Sequence, residues 1–296
     1  MTPDPGSPAD ASTITDTTAE TARTFDEASE SFDELTPLVW GPAGQVLAFR
    51  TGIGPGDRVL DVCCGTGASA LPAAMAAGPD GRVHAVDIAD ELLEHGRLVA
   101  ERRGLKNIDF VCADATTWEP LSDVPEQGYD ALTISYGVFF LPHMDRSFGR
   151  LVSQVRHGGR VGVTVWRAGA MEEFSDLVFD VVGRWSPGMR DRGSLRHRTP
   201  LHRIDTPAAL EEWLAAAGTH TVEIGTLSNL LPATEELCWA LVTGSGMRGV
   251  LSGLDDPQVE EVRQALADEV TARGLHTIDA TTLVGTATVL RPPVSG

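Results

Sequence analysis

Hydrophobic residues fall along the chain in two alternating rhythms. Short, nearly continuous apolar runs are separated by longer stretches in which apolar positions recur every three or four residues. The first run, 58–62, follows the turn cluster Gly54-Pro55-Gly56-Asp57 and reads as a buried strand. A helix of small residues is predicted over 68–77, closed by Gly78. Further strands are predicted over 82–87, 108–112, 131–135 and 160–166, with helices over 90–103 and 145–156. Strands alternating with helices imply parallel β-α-β units and an α/β, doubly wound sheet.

Both flanks break this rhythm. Residues 1–18 are rich in Pro, Ser, Thr, Asp and Ala without periodicity and read as a disordered tail. Helical spacing over 20–35 puts Phe25, Phe32 and Leu35 on one side, and a short helix is expected over 43–50. The stretch 167–205 has no clear strand, after which Thr206-Pro207 supplies an N-cap and a first-turn proline. A sixth strand is expected over 220–224, helices over 234–241 and 257–272 (the latter capped by Asp256), and a last strand over 281–290. The chain thus divides into a tail 1–18, N-terminal helices 19–56, a core 57–168 and a C-terminal part 169–296.

Composition narrows the function. With 23 basic and 42 acidic residues the net charge is −19, which disfavours nucleic acid and anionic membrane as partners. No apolar run approaches the roughly 18 residues of a membrane span, and the acidic start lacks a secretory pattern, so a cytoplasmic protein is expected. Cys63, Cys64, Cys112 and Cys238 have no zinc spacing, and no metal site is expected.

The chemistry concentrates in Val59-Leu60-Asp61-Val62-Cys63-Cys64-Gly65-Thr66-Gly67. A strand must turn sharply into a helix here, and glycines let a ligand lie on bare backbone. The second strand ends in Asp87, where a carboxylate can accept both ribose hydroxyls, and the third in Asp114-Ala115, where one can bond an adenine amine. Each aspartate could also simply cap a helix; three in register suit a nucleoside. Gly65-Thr66-Gly67-Ala68-Ser69-Ala70 fits a dinucleotide fingerprint as well, which keeps an NAD-dependent reductase open. Asp61 argues against it, because a carboxylate before the loop repels pyrophosphate and attracts an ammonium. Adenine, ribose and an ammonium without phosphate describe S-adenosylmethionine.

On these residues, with His157-Gly158-Gly159 before the fifth strand, the chain resembles the class I S-adenosylmethionine-dependent methyltransferases. The resemblance is to the branch of ubiquinone and menaquinone C-methyltransferases and natural-product tailoring enzymes. It covers 57–166, with Cys63 in place of the family's first loop glycine. It implies a Rossmann-like sheet of seven strands, mostly parallel with the last antiparallel, covered by the N-terminal helices and a helical lid. By the same resemblance Asp61, Cys63, Gly65, Thr66 and Gly67 hold the methionine end, Asp87 and Ile88 the ribose, and Asp114 and Ala115 the adenine. Ser135 and Tyr136 line the sulfonium. A nucleoside-binding protein without methyl transfer is not separated by these features.

The acceptor is less defined. Ser135-Tyr136-Gly137-Val138 replaces the Pro-Pro-Tyr type motif of nucleic-acid amino-methyltransferases, so a small biosynthetic molecule is expected, with a homodimer left open. Arg184, Arg190, Arg192, Arg196, Arg198 and Arg203 cluster after the fifth strand, either as a solvated loop or as a clamp for an anionic head group. The clamp suits an isoprenoid such as a prenyl diphosphate, which could bring Mg²⁺, with Glu173 as base; the alternative is O-, N- or C-methylation of an aromatic or quinone-like acceptor. His143 and Tyr136 are further catalytic candidates. Phe25, Phe32 and Trp213 are candidate pocket walls, although aromatics at helical spacing are more often core.

Overall fold

A computed structural model describes residues 8–120, 122–186 and 199–291. Helix α1 (Pro8–Leu35) runs into a π-helical turn (Thr36–Trp40) and α2 (Gly41–Arg50). The regular part is β1 (Arg58–Val62), α3 (Ala70–Ala77), β2 (Arg82–Asp87), α4 (Asp90–Arg102), β3 (Ile108–Cys112), β4 (Tyr129–Ser135), α5 (Met144–Ser153) and β5 (Val155–Trp166). Then come α6 (Glu172–Val182), α7 (Pro207–Ala216), β6 (Thr219–Leu227), β7 (Leu230–Pro232) and α8 (Glu235–Thr243). The chain closes with α9 (Asp256–Arg273), β8 (Thr277–Asp279) and β9 (Thr282–Val289).

Seven strands form one sheet in the order β3-β2-β1-β4-β5-β9-β6. The first five pair parallel, and β9 inserts antiparallel between β5 and β6. The doubly wound sheet with an antiparallel late strand is the expected one. Val59, Leu60 and Val62 of β1 are fully buried, as a central parallel strand covered on both faces requires. The order reverses between β1 and β4, and a crevice opens at the carboxyl ends of strands at such a point. The small residues of α3 admit close packing: a Cβ on Gly44 of α2 would lie 2.2 Å from the Ala68 carbonyl oxygen. α2 therefore lies directly against the loop after β1.

Several expectations are corrected. Helix α1 begins at Pro8, inside the stretch read as tail, with Pro8 in the first turn, where its missing amide costs no hydrogen bond. The helix expected to reach 156 stops at Ser153, and β5 starts at Val155, since Arg156-His157-Gly158-Gly159 continues the strand through Gly158 at φ +73°. The stretch after β5, expected to lack a strand, does contain helix α6, whose Phe174, Leu177, Val178 and Val181 face the core. Helix α9 is capped by Asp255 rather than Asp256, in a reciprocal box with Gln258. Among the described residues no helix is long and apolar enough to cross a membrane.

Candidate functional site

The loop after β1 and the ends of β2, β3 and β4 enclose two adjoining chambers. One, of about 290 Å³, is walled by Val86, Asp87, Ile88, Ala113, Asp114, Ala115 and His143. The other, of about 320 Å³, runs from Cys63, Cys64 and Gly65 past Ser135 and Tyr136 to an aromatic wall. Cys63, Asp87, Ile88 and Phe140 line both, so the two meet there.

The acidic residues occupy three different environments. Asp61 is fully buried behind the loop, where it accepts from Thr133 Oγ1 at 2.5 Å. Its Oδ1 has no hydrogen-bond partner among the described residues. Burial pushes its carboxyl up to about 7; Thr133 and nearby Ser69 pull it down and Asp87 raises it further. Asp87 accepts the Gly65 amide at 2.8 Å and the Ala89 amide at 3.0 Å, which ties the loop to the end of β2. Its carboxyl is raised by burial and lowered by those amides. Asp114 accepts both the amide and the hydroxyl of Thr116 through Oδ1, at 2.8 and 2.7 Å.

An unpaired, deeply buried acceptor behind a loop with Gly65 at φ +51° and Gly67 at φ +89° fits an ammonium drawn in over bare backbone. The carboxylates of Asp87 and Asp114 on the second wall fit a ribose and an adenine amine. The residues expected to hold the cofactor lie at or behind these chambers. Cys63, Gly65, Asp87, Ile88, Asp114, Ala115 and Ser135 form chamber walls, whereas Asp61, Thr66 and Gly67 lie behind them. Thr66 is buried, its Oγ1 3.3 Å from Thr36 Oγ1.

Cys63 stands where a glycine is expected and adopts φ +55°, a conformation that costs a non-glycine about 1–2 kcal/mol. Burial first, then Asp87, Asp61 and Asp114, push its thiol up, so it is a neutral packing group. Its room comes from Gly137: a Cβ there would sit 2.3 Å from Cys63 Cβ and 2.8 Å from Sγ. Gly137→Ala should therefore destabilise by about 1–3 kcal/mol in urea unfolding. Adding Cys63→Gly should restore most of the loss, and a double mutant no better than the single would refute the pairing.

The ubiE/COQ5 methyltransferase family model matches residues 45–179. Aklanonic acid methyltransferase DauC of a Streptomyces species is 36% identical over 165 residues, 54% of this chain and 73% of that protein. The chain belongs to the ubiE/COQ5 methyltransferase family. A Pseudomonas putida ubiquinone/menaquinone biosynthesis C-methyltransferase, UbiE, is 37% identical over 47% of this chain and 55% of its own length. The YcgJ protein of Bacillus subtilis shares the fold, with a TM-score of 0.55 at 12% identity, over 85% of this chain and 99% of that one. As a member of this family the chain is an S-adenosylmethionine-dependent methyltransferase.

Other candidate residues fall elsewhere than expected. Glu173 is exposed; helix α6 instead turns Glu172, Ser175 and Phe179 to the chamber. His143 occupies the position before α5 at φ +46°, without a side-chain capping bond, and lines the chamber of Asp114, apart from the aromatic one. Trp213 stacks on Phe148 in the core at 4.2 Å and lines neither chamber. Arg203 pairs with Asp145 at 2.9 Å, and Arg184 with Glu269. Arg190, Arg192, Arg196 and Arg198 lie outside the described residues. Tyr136 lines the chamber, but its hydroxyl is engaged by Thr282 and burial holds the phenol above its ordinary range, so it is no base. Phe25 and Phe32 of α1 are walls as expected. Trp40 and Trp166, missed in the sequence, join them; their place beside the π-helical turn and at the end of β5 carried the available signal.

Proposed function

We propose that this methyltransferase acts on a flat aromatic or quinone-like acceptor of biosynthetic origin. The aromatic wall carries this reading. Tyr136 lies 4.3 Å from Trp166 and 5.3 Å from Trp40, ring to ring, and Phe32 stacks on Trp40 at 5.1 Å. Such faces bury and orient a planar ring system. Among the described residues no arginine or lysine lines this chamber. No described group of three His, Cys, Asp or Glu could hold a metal ion. Trp40 Nε1 is a buried donor with no partner among the described residues, and a quinone or phenol oxygen would satisfy it. DauC is named for aklanonic acid and UbiE for ubiquinone and menaquinone biosynthesis, and the quinone names agree with this reading.

In this reading Asp61 holds the ammonium of S-adenosylmethionine, Asp87 the ribose and Asp114 the adenine, and the cofactor supplies an electrophilic methyl. The chain's own contribution is to exclude water and to set the acceptor in line with that methyl, from which much of the rate follows. Incubation with S-adenosylmethionine and a panel of naphthol, lawsone and farnesyl diphosphate tests it. S-adenosylhomocysteine should form with the aromatic compounds; formation with farnesyl diphosphate alone would overturn the assignment. Trp166→Ala should raise KM for the aromatic acceptor up to about tenfold, one stacked pair's worth, with cofactor affinity unchanged.

A further inference from the structure

Tyr136 is held in the chamber wall more firmly than an apolar face requires. It follows the last residue of β4 with φ +52°, in the left-handed region, which a side chain other than glycine adopts only where its surroundings impose it. Three sets of contacts do so. Its amide donates to both the carbonyl oxygen and the hydroxyl oxygen of Thr164, each at 3.1 Å. Its ring lies 4.3 Å from that of Trp166 and meets Trp40 in a T-shaped contact at 5.3 Å. Its hydroxyl bonds to Thr282 Oγ1.

Thr282 itself is 1% exposed and lines neither chamber. It opens β9 and pairs across the sheet with Trp166 of β5. Its own hydroxyl donates to the Ala280 carbonyl at 3.2 Å, so the phenol O–H is the donor between the two side chains. Burial keeps that phenol un-ionised. The Tyr136 side chain is therefore fixed at both ends, through its backbone by β5 and through its hydroxyl by β9.

We propose that Thr282 is a positioning residue: by accepting the Tyr136 hydroxyl it fixes the ring on which the acceptor stacks, and so sets the acceptor's line of approach to the cofactor methyl. The proposal rests on the aromatic-acceptor reading above. Methyl transfer needs the acceptor atom, the methyl carbon and the sulfur in line, and a wall that can turn spoils that alignment. Neither hydroxyl gives or takes a proton in the transfer. Their part is geometric, and it reaches the reacting atoms from a strand that does not touch the chamber.

Kinetics with naphthol and S-adenosylmethionine test the proposal, with S-adenosylhomocysteine affinity and stoichiometry read by calorimetry. Thr282→Val keeps the shape of the side chain and removes the acceptor; Tyr136→Phe removes the donor. Each should lower kcat about tenfold, with KM within about twofold and S-adenosylhomocysteine binding unchanged, since misalignment slows the transfer without emptying the site. The double variant should lose the same tenfold, because both changes delete one bond. Thr282→Ser keeps a hydroxyl and should stay within about twofold of wild type. An unchanged kcat in Thr282→Val, a loss of about a hundredfold in the double variant, or a serine variant as slow as the valine one would overturn the proposal. So would weakened S-adenosylhomocysteine binding, which would make the bond a prop of the fold. If wild type turned over neither naphthol nor lawsone while still binding S-adenosylhomocysteine, the aromatic-acceptor reading would fall and take the proposal with it.

Discussion

Replacing Asp61 by asparagine will weaken S-adenosylhomocysteine binding by about 100-fold and, at pH 8, raise the melting temperature of the ligand-free protein. The two effects share one cause. Asp61 is a fully buried carboxylate with one hydrogen bond, from Thr133, and one oxygen with none among the described residues. Removing one member of a buried ammonium–carboxylate pair typically costs 2–5 kcal/mol, which sets the loss of affinity. Without ligand the same charge is a burden. Its folded carboxyl sits near 7 against 3.8 for the free side chain, so folding favours its protonated form. Stability from this group is therefore full below about pH 4 and lost as pH rises toward 7, about 4 kcal/mol in all. Asparagine keeps an oxygen for Thr133 and carries no charge. An unchanged affinity for S-adenosylhomocysteine would remove Asp61 from the site.

Cofactor affinity will itself depend on pH, improving about tenfold from pH 6 to pH 8. An ammonium needs the ionised carboxylate, and below about 7 Asp61 is mostly protonated in the free protein. Each pH unit below that point then costs about a factor of ten, until the bound-state value is reached. Binding at pH 6 must release up to one proton. Calorimetry of S-adenosylhomocysteine in two buffers of different ionisation enthalpy measures that release. A flat affinity with no proton release would mean that the ammonium finds its partner elsewhere.

The parallel core was readable because its central strands are buried and bounded by turn residues. Arg82–Asp87, buried over 83–86, matches its expected limits, as does the half-buried edge strand Ile108–Cys112. Glycines misled at one place and helped at another: Gly158-Gly159 suggested a break inside a strand that continues, whereas Gly78 stops α3 as expected. Helix α6 was hidden by its setting. Its apolar positions 174, 177, 178 and 181 have helical spacing, but the stretch was read only as lacking a strand, and no helix limits were assigned there.

Within the site, strand-end carboxylates were readable because a parallel sheet fixes where strand ends lie. Side-chain direction on a helix was not. Glu172, Ser175 and Phe179 form the chamber stripe of α6, while Glu173, Asp176 and Asp180 form the exposed one. A shift of one residue turns a helix by about 100°, and only packing on the core sets that phase. Aromatic identity likewise carries no direction, so Trp213 fills core while Trp40 and Trp166 line the chamber.

Mass spectrometry of a reaction with methyl-labelled S-adenosylmethionine and naphthol or lawsone tests the two-chamber assignment. The account predicts one labelled methyl on the aromatic product for each S-adenosylhomocysteine formed, and loss of that product in Asp61→Asn at limiting cofactor. Label absent from both aromatic compounds but transferred to farnesyl diphosphate would contradict it.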